Sequence, residues 1–219
     1  MLEHVPAWLG KALSGARAGM EKVAIARPEL GVRDLHAEAT MSLTSPAFAD
    51  GARLPERFTA DGTGVSPPLV WRDPPAGTAT LVLLVEDVDA PAPQPLVHAI
   101  MWGLAGEAGA LAEGAIVADG DGTSGGGGTQ DGGGRDVGRS SFGHEGWLPP
   151  DPPTGHGQHR YVFQLFAVGA GASDPGASPG RAAVVEAMAG HVLAAGILTG
   201  TYSRGEESPV GPVGAVAPA

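Results

Sequence analysis

A chain of 219 residues that is 42% hydrophobic can bury one sizeable core, so we expect one main domain with extensions. Its formal net charge of −11 argues against nucleic acid and anionic membrane surfaces as partners, because both reward Lys and Arg. The sequence has no cysteine, no signal-peptide pattern and no apolar window of the ~20 residues that a membrane helix needs. We therefore expect a cytoplasmic protein without disulfides, thiolate chemistry or membrane insertion.

The first predicted element is an amphipathic helix over residues 5–25, where apolar side chains recur at helical spacing. The stripe consists of Trp8, Leu9, Ala12, Leu13, Ala16, Met20 and Val23. Two interpretations stay open: the helix packs on the surface of its own domain, or it forms a homodimer contact. Pro28 and Gly31 end the helical pattern. We assign residues 1–40 to an N-terminal helical extension.

From residue 41 onward, short strands with Pro- and Gly-rich turns replace the helical pattern. Three unbroken apolar runs are typical of strands buried on both faces. They are Thr80 to Val85, Leu96 to Leu104 and Tyr161 to Val168. The spacing also predicts a helix over 179–194 and a final strand over 197–202. Short strands joined by turns favour a mostly β fold, a two-sheet antiparallel β-sandwich with a C-terminal helix.

Two segments have low complexity. The glycine-rich stretch at 118–140 predicts a flexible loop, and no Gly-Lys-Ser/Thr follows that would make it a phosphate loop. The Pro-, Gly- and Ala-rich end of the chain, at 205–219, predicts a disordered tail.

Two polar clusters stand beside the strand-like runs. The first covers residues 85–91 and is followed by Leu96-Val97-His98, and the second covers residues 156–163. Polar groups next to a core are costly unless they are paired or used. If the fold brings Asp87, His98 and His159 together, they form a small pocket with one carboxylate and two imidazoles.

Such a pocket supports several kinds of chemistry. A carboxylate favours the charged form of a nearby imidazole, and the set then binds a small anion through charge-assisted hydrogen bonds. The same groups could act as acid and base, or Asp87 and His98 could simply satisfy each other. A two-His-one-carboxylate metal site is a competing interpretation, but no tightly spaced ligand motif is present, so we assign no metal and no cofactor. Without a Gly-x-Ser-x-Gly elbow or a cysteine, nucleophilic catalysis has no support.

We expect the neighbouring polar residues to be structural. Asp89 is predicted to bond turn amides, and Glu86 to lie on the opposite face of the strand. Arg160 is predicted to point away from the pocket into an ion pair. His144 and His156 are interpreted as loop residues.

A series of short motifs runs through the strands and both clusters. They are Ser66-Pro67-Pro68-Leu69 with Trp71, Pro75-Ala76-Gly77-Thr78, Asp87-Val88-Asp89-Ala90-Pro91, Val97-His98, Ser141-Phe142-Gly143, the proline-rich Trp147 to Pro153, and Gly155 to Tyr161. In this order they resemble the phosphatidylethanolamine-binding protein family, specifically its bacterial Raf-kinase-inhibitor-like branch. The resemblance covers about residues 41–204, which we assign to one domain.

The resemblance implies a two-sheet antiparallel sandwich with a small anion pocket at one end. The implied binding residues are Asp87, Pro91, His98, Gly146, Pro149, Pro150, His159 and Tyr161. Four positions depart from the family pattern, and we expect the rim and floor of the pocket to differ there. They are Val88, Ala99, Ser140 and the proline loop around Trp147.

The resulting functional hypothesis is a protein that binds a small anion of the phosphate or carboxylate type, or an anionic head group. One alternative is an enzyme that uses Asp87, His98 and His159 for acid–base cyclisation, isomerisation or hydrolysis of a small metabolite. The other is an interaction protein of the protease- or kinase-inhibitor kind. A homodimer through the N-terminal helix is a further prediction, and nucleic acid is not an expected partner.

Overall fold

The structure, a computed structural model, describes residues 7–32, 41–118 and 136–204. Its strands form two antiparallel sheets, which confirms the predicted mostly β, two-sheet class. The strands are β1 (Ser42–Thr44), β2 (Leu69–Arg72), β3 (Thr78–Asp87), β4 (Leu96–Ala105), β5 (Gly109–Leu111), β6 (Asp136–Val137), β7 (His159–Gly169) and β8 (Val192–Tyr202). The small sheet has the order β1-β2-β5, and the large sheet the order β6-β4-β3-β7-β8.

Strand β3 lies at the centre of the large sheet, between β4 and β7. Residues 81–85 of β3 are all fully buried, as their unbroken hydrophobicity predicts. Because side chains alternate along a strand, Leu83 points toward the small sheet and Val82 and Leu84 point toward the other face. That other face is covered by the helix α2 (Arg181–Met188), through Val184 and Met188, and by the N-terminal segment.

The N-terminal segment, residues 7–32, begins as a helix but does not continue as one. Helix α1 spans Ala7–Leu13, and short 3-10 turns follow at Met20–Lys22, Ala24–Ala26 and Pro28–Leu30. The amphipathic helix predicted over 5–25 is therefore not confirmed. Gly19 has a left-handed φ of 96°, and the backbone N–H groups of Ala18 and Gly19 donate to the carbonyls of Ala90 and Val88 instead of to a helix.

The apolar side chains of the N-terminal segment are divided between the core and the surface. Val23, Ile25 and Leu30 are each about 1% exposed and pack against the large sheet. Trp8 is 69% exposed and Leu13 is 37% exposed. The homodimer contact through this helix stays a prediction.

The C-terminal helix is shorter than its sequence pattern suggests. Helix α2 ends at Met188, and Gly190 follows with a φ of 75°. Strand β8 begins at Val192, five residues before the predicted start at 197. The pairing of β8 with β7 along its whole length takes these residues into the sheet. The predicted loop at 118–140 falls largely on residues outside the described ranges, and so does the predicted tail at 205–219. Among the described residues, no helix has the length and hydropathy that crossing a membrane requires.

Candidate functional site

The candidate site lies where β3 ends and β7 begins. Antiparallel pairing sets Asp87, the last residue of β3, opposite Tyr161 of β7 and Leu96 of β4. This register brings Asp87, His98 and His159 to one end of the strands of the large sheet, as the resemblance implies. Asp87 Oδ2 and His159 Nδ1 are 2.7 Å apart. Asp87 Oδ1 accepts a second hydrogen bond, from the backbone N–H of Asp89 at 2.9 Å.

A cavity of about 500 Å³ opens beside these groups. Its polar lining includes Asp87, His98 and His159, and its walls are largely apolar. The wall residues include Pro91, Leu96, Phe142, Leu148, Pro149 and Pro152. A cavity of this size and lining has room for more than a bare phosphate ion.

The eight predicted binding residues do not all reach this cavity. Five of them line it: Asp87, Pro91, His98, Pro149 and His159. The other three lie behind or beside it. Tyr161 is fully buried, with its ring at 5.0 Å from His98 and 6.5 Å from His159. Gly146 lines a separate, smaller pocket, and the carbonyl of Pro150 accepts a hydrogen bond from Ala60.

His98 is held by a backbone group and not by a carboxylate. Its Nδ1 lies 2.7 Å from the carbonyl oxygen of Leu148, which can only accept, so Nδ1 carries a hydrogen. Burial lowers the pKa of His98, and the opposing effect of the Asp87 charge is smaller. This ring is therefore neutral near pH 7, which corrects the expectation that a nearby carboxylate would charge it. Its Nε2 is a buried acceptor for which the described residues supply no partner.

The buried, neutral state of His98 predicts acid sensitivity. Its folded-state pKa lies below the unfolded value of about 6.5, so the unfolded chain binds more protons once the pH falls below that value. We expect the free energy of unfolding to decrease as the pH falls below about 6.5, and to decrease less in His98→Phe. Urea unfolding across this range tests the prediction, with the exposed His144→Phe as the matched control. Equal pH slopes for wild type and His98→Phe would contradict it.

His156 lies in a loop, as predicted, but sequence reasoning missed its contact with the site. It is 1% exposed and its Nδ1 lies 2.7 Å from His159 Nε2. Its own Nε2 is 2.9 Å from the carbonyl oxygen of Leu13 in α1. The only sequence signal was its spacing of three residues from His159 in a turn. Both ring nitrogens of His159 are thus engaged, which leaves neither for a metal ion.

The second acidic residue of the cluster is structural. Asp89 is 2% exposed and accepts hydrogen bonds from Arg160 Nε at 2.7 Å, Arg160 Nη2 at 2.8 Å and the Arg160 backbone N–H at 2.9 Å. Arg17 Nη1 lies 2.9 Å from Asp89 Oδ1, the oxygen that Arg160 Nη2 also contacts. Burial alone would raise the pKa of Asp89, but the hydrogen bonds from Arg160 and Arg17 outweigh it and hold that pKa below its usual value. The ion pair predicted for Arg160 is confirmed, with Asp89 as its partner.

The altered proline loop shapes the wall behind His98. Trp147 stacks on Phe163 at 6.0 Å and lies 6.2 Å from the His98 ring. Its Nε1 donates to the carbonyl of Phe58 at 3.0 Å, and its side chain packs against the core cluster on the small-sheet side. Leu148, the next residue, supplies the carbonyl that holds His98. The altered proline loop, one of the departures from the family pattern, therefore supplies the carbonyl group that positions His98.

Comparison with known proteins agrees with this architecture. A sequence model described as phosphatidylethanolamine-binding protein matches residues 44–203. A UPF0098 protein of Methanothermobacter thermautotrophicus is 37% identical over 166 residues, which is 75% of this chain and 100% of the relative. A UPF0098 protein of Chlamydia trachomatis is 33% identical over 168 residues, or 75% and 99% of the two chains.

Two solved structures are similar as well. CT736 of Chlamydia trachomatis, described as a phosphatidylethanolamine-binding protein homologue, superposes with a TM-score of 0.63 at 33% identity and covers 76% of this chain and 99% of its own. E. coli YbcL, described as a new member of the mammalian family, superposes with a TM-score of 0.65 at 25% identity and covers 75% and 99%. The N-terminal segment lies before the part of the chain that the family model matches.

Proposed function

Because the chain belongs to the phosphatidylethanolamine-binding protein family, we propose that it binds a small acid whose phosphate or carboxylate head carries an apolar substituent. The observation that carries the proposal is the cavity of about 500 Å³ with Asp87, His98 and His159 on its lining. The head group lies at these three residues, and the substituent lies against the apolar wall.

The apolar wall accounts for the substituent. Proline, leucine and phenylalanine side chains offer no hydrogen bonds, so they favour a ligand that brings its own apolar surface. Burying such a surface contributes ~0.8 kcal/mol for each methylene group. A bare phosphate would leave most of the cavity unused.

His98 accounts for the acidic head. Its buried Nε2 has no partner among the described residues, and it becomes a donor when the ring takes up a proton. A bound anion stabilises that charged form, so ligand binding and protonation of His98 reinforce each other. The affinity for an anion therefore falls as the pH rises above the pKa of the bound state.

Calorimetry with hexyl phosphate, inorganic phosphate and hexanol tests the proposal. We expect hexyl phosphate to bind more than about tenfold more tightly than either other probe, and more tightly at about pH 6 than at about pH 8. His98→Gln should weaken hexyl phosphate about tenfold and reduce its pH dependence. His191→Gln, which alters a histidine at the opposite end of β8, is the matched control and should leave the affinity unchanged. No binding of hexyl phosphate, or equal binding of hexanol, would refute the proposal.

Acid–base catalysis on a small molecule is the second candidate. It is favoured by the hydrogen-bonded series Asp87, His159 and His156, of which Asp87 and His159 line the cavity. The same calorimetry samples provide the test, since release of hexanol from hexyl phosphate reports hydrolysis. Turnover that is lost in Asp87→Asn while binding persists would support an enzyme. Intact hexyl phosphate after incubation with wild type excludes hydrolysis of this probe.

A further inference from the structure

His156 is fixed at its outer end by the N-terminal segment. The carbonyl oxygen of Leu13 can only accept a hydrogen bond, so His156 Nε2, at 2.9 Å, carries a hydrogen. Arg17 of the same segment donates to the backbone carbonyls of Gln158 at 2.9 Å and His156 at 3.4 Å. The segment thus determines both the tautomer of His156 and the position of its loop.

His159 is fixed at its inner end by the carboxylate. An ionised Asp87 can only accept, so His159 Nδ1, at 2.7 Å, carries a hydrogen. The backbone N–H of Asp89 holds the other carboxylate oxygen at 2.9 Å and so fixes the direction of this contact.

The contact between the two rings then requires one more hydrogen. Three contacts in a row, from Leu13 through His156 and His159 to Asp87, need three hydrogens, and two neutral imidazoles supply only two. We infer that His156 and His159 share one additional proton across their 2.7 Å contact, and that His156 is thereby the residue that sets the charge and orientation of His159.

The other charge states of the pair fit the geometry less well. Two neutral rings would leave one of the three contacts without a hydrogen. Two charged rings would direct N–H groups at each other across 2.7 Å. Burial, followed by the charge of His159, lowers the pKa of His156. This direction is expected if the pair, which already holds one additional proton, disfavours the binding of another. One shared positive charge balances the Asp87 carboxylate, so the buried trio carries no net charge.

The other ionisable groups around His156 and His159 do not change the number of protons that the three contacts require. His98 and Tyr161, which pack on the inner side, are both neutral at pH 7, since burial lowers the pKa of the first and raises that of the second. Arg17 faces the outer side and is paired with Asp89 at 2.9 Å, and Asp89 is paired in turn with Arg160.

The arrangement has a consequence for the ligand. Because both nitrogens of His159 are engaged, His159 contributes charge and shape to the cavity and not a free N–H. The acceptor that fixes the arrangement, Leu13, belongs to the N-terminal segment, which lies outside the family match at 44–203. A part of the chain beyond the family domain therefore sets the charge state of the proposed binding site. This effect on binding, unlike the shared proton itself, rests on the proposed function.

Nuclear magnetic resonance of the full-length protein with isotope-labelled histidines tests the shared proton without any ligand. At neutral pH we expect one strongly downfield, exchange-protected proton, with nitrogen shifts of His156 Nδ1 and His159 Nε2 both intermediate between the protonated and unprotonated values. In His156→Gln the downfield signal should disappear, because the 2.7 Å contact between the two rings is lost. His144→Gln, which alters an exposed histidine on the cavity lining, should leave the signal in place. Wild-type rings that each show one protonated and one unprotonated nitrogen would overturn the inference.

Titration with hexyl phosphate separates this inference from the proposed function. We expect His156→Gln to weaken binding about tenfold near pH 7, because loss of the shared positive charge leaves the Asp87 carboxylate uncompensated beside the anionic head group. A shared proton without hexyl phosphate binding would refute the proposed function alone. Binding that is equally tight in wild type and His156→Gln would overturn the positioning role.

Discussion

Glu86→Ala is expected to lower the free energy of unfolding by about 3–5 kcal/mol, the cost of removing one partner of a buried ion pair. Glu86 is fully buried on the face of β3 away from the cavity. It accepts hydrogen bonds from Arg181 Nε at 2.6 Å, Gln164 Nε2 at 2.8 Å and the backbone N–H of Ala24 at 2.7 Å. Without the carboxylate, three buried or half-buried donors lose an acceptor at once.

The size of this effect follows from how many elements Glu86 joins. Its partners lie in the N-terminal segment, in β7 and in α2, so the carboxylate connects the large sheet to the two elements that cover one of its faces. Arg181 is only 19% exposed and would lose its carboxylate partner, while its Nη2 still donates to the carbonyl of Lys22. A loss of 3–5 kcal/mol is a large fraction of the ~5–15 kcal/mol by which domains are stable.

Urea unfolding of Glu86→Ala and Glu113→Ala measures the effect against a matched control. Glu113 pairs with Arg57 at 3.1 Å, but the two side chains are 43% and 46% exposed. An exposed pair of this kind contributes at most about 1 kcal/mol. Equal losses in the two variants would show that burial does not determine the contribution of Glu86.

Ile25→Ala is expected to destabilise the protein by about 2–5 kcal/mol, the range measured for emptying a packed core site. Ile25 is 1% exposed, lies in the cluster that includes Val82 and Val184, and donates its backbone N–H to Gln164 Oε1 at 2.8 Å. Truncation removes apolar contacts and leaves a cavity between the N-terminal segment and the large sheet.

The control for Ile25→Ala is Val117→Ala, at a position that is 50% exposed and should change stability by less than about 0.5 kcal/mol. Thermal or urea unfolding of both variants gives the comparison. A large loss at Ile25 would mean that the N-terminal segment is part of the domain's core. A loss no larger than that of Val117→Ala would mean that it is a separable extension.

Most of the correct sequence predictions came from the three buried strands and from the order of the motifs. Strand β3 and its neighbours were recognisable because burial on both faces demands continuous hydrophobicity, which is a local property of the chain. Asp87 and His159 could be placed together because each stands at the end of such a run and because the motifs around them follow the family order. The neutral state of His98 was not predictable, since it depends on burial by a loop that contains Leu148, 50 residues away.

The sequence by itself therefore determined the β-sandwich, the family and the residues at the strand ends. Only the tertiary structure decided the extent of the N-terminal helix, the Glu86 network and the role of His156. Periodicity reports which face of a regular element is buried, but it carries no information about partners in turns. His156 and the Leu13 carbonyl are 143 residues apart in sequence, and only the path of the folded chain brings them within 2.9 Å. The loop of the second polar cluster is held in place by this distant segment, through the contacts of Leu13 with His156 and of Arg17 with Gln158.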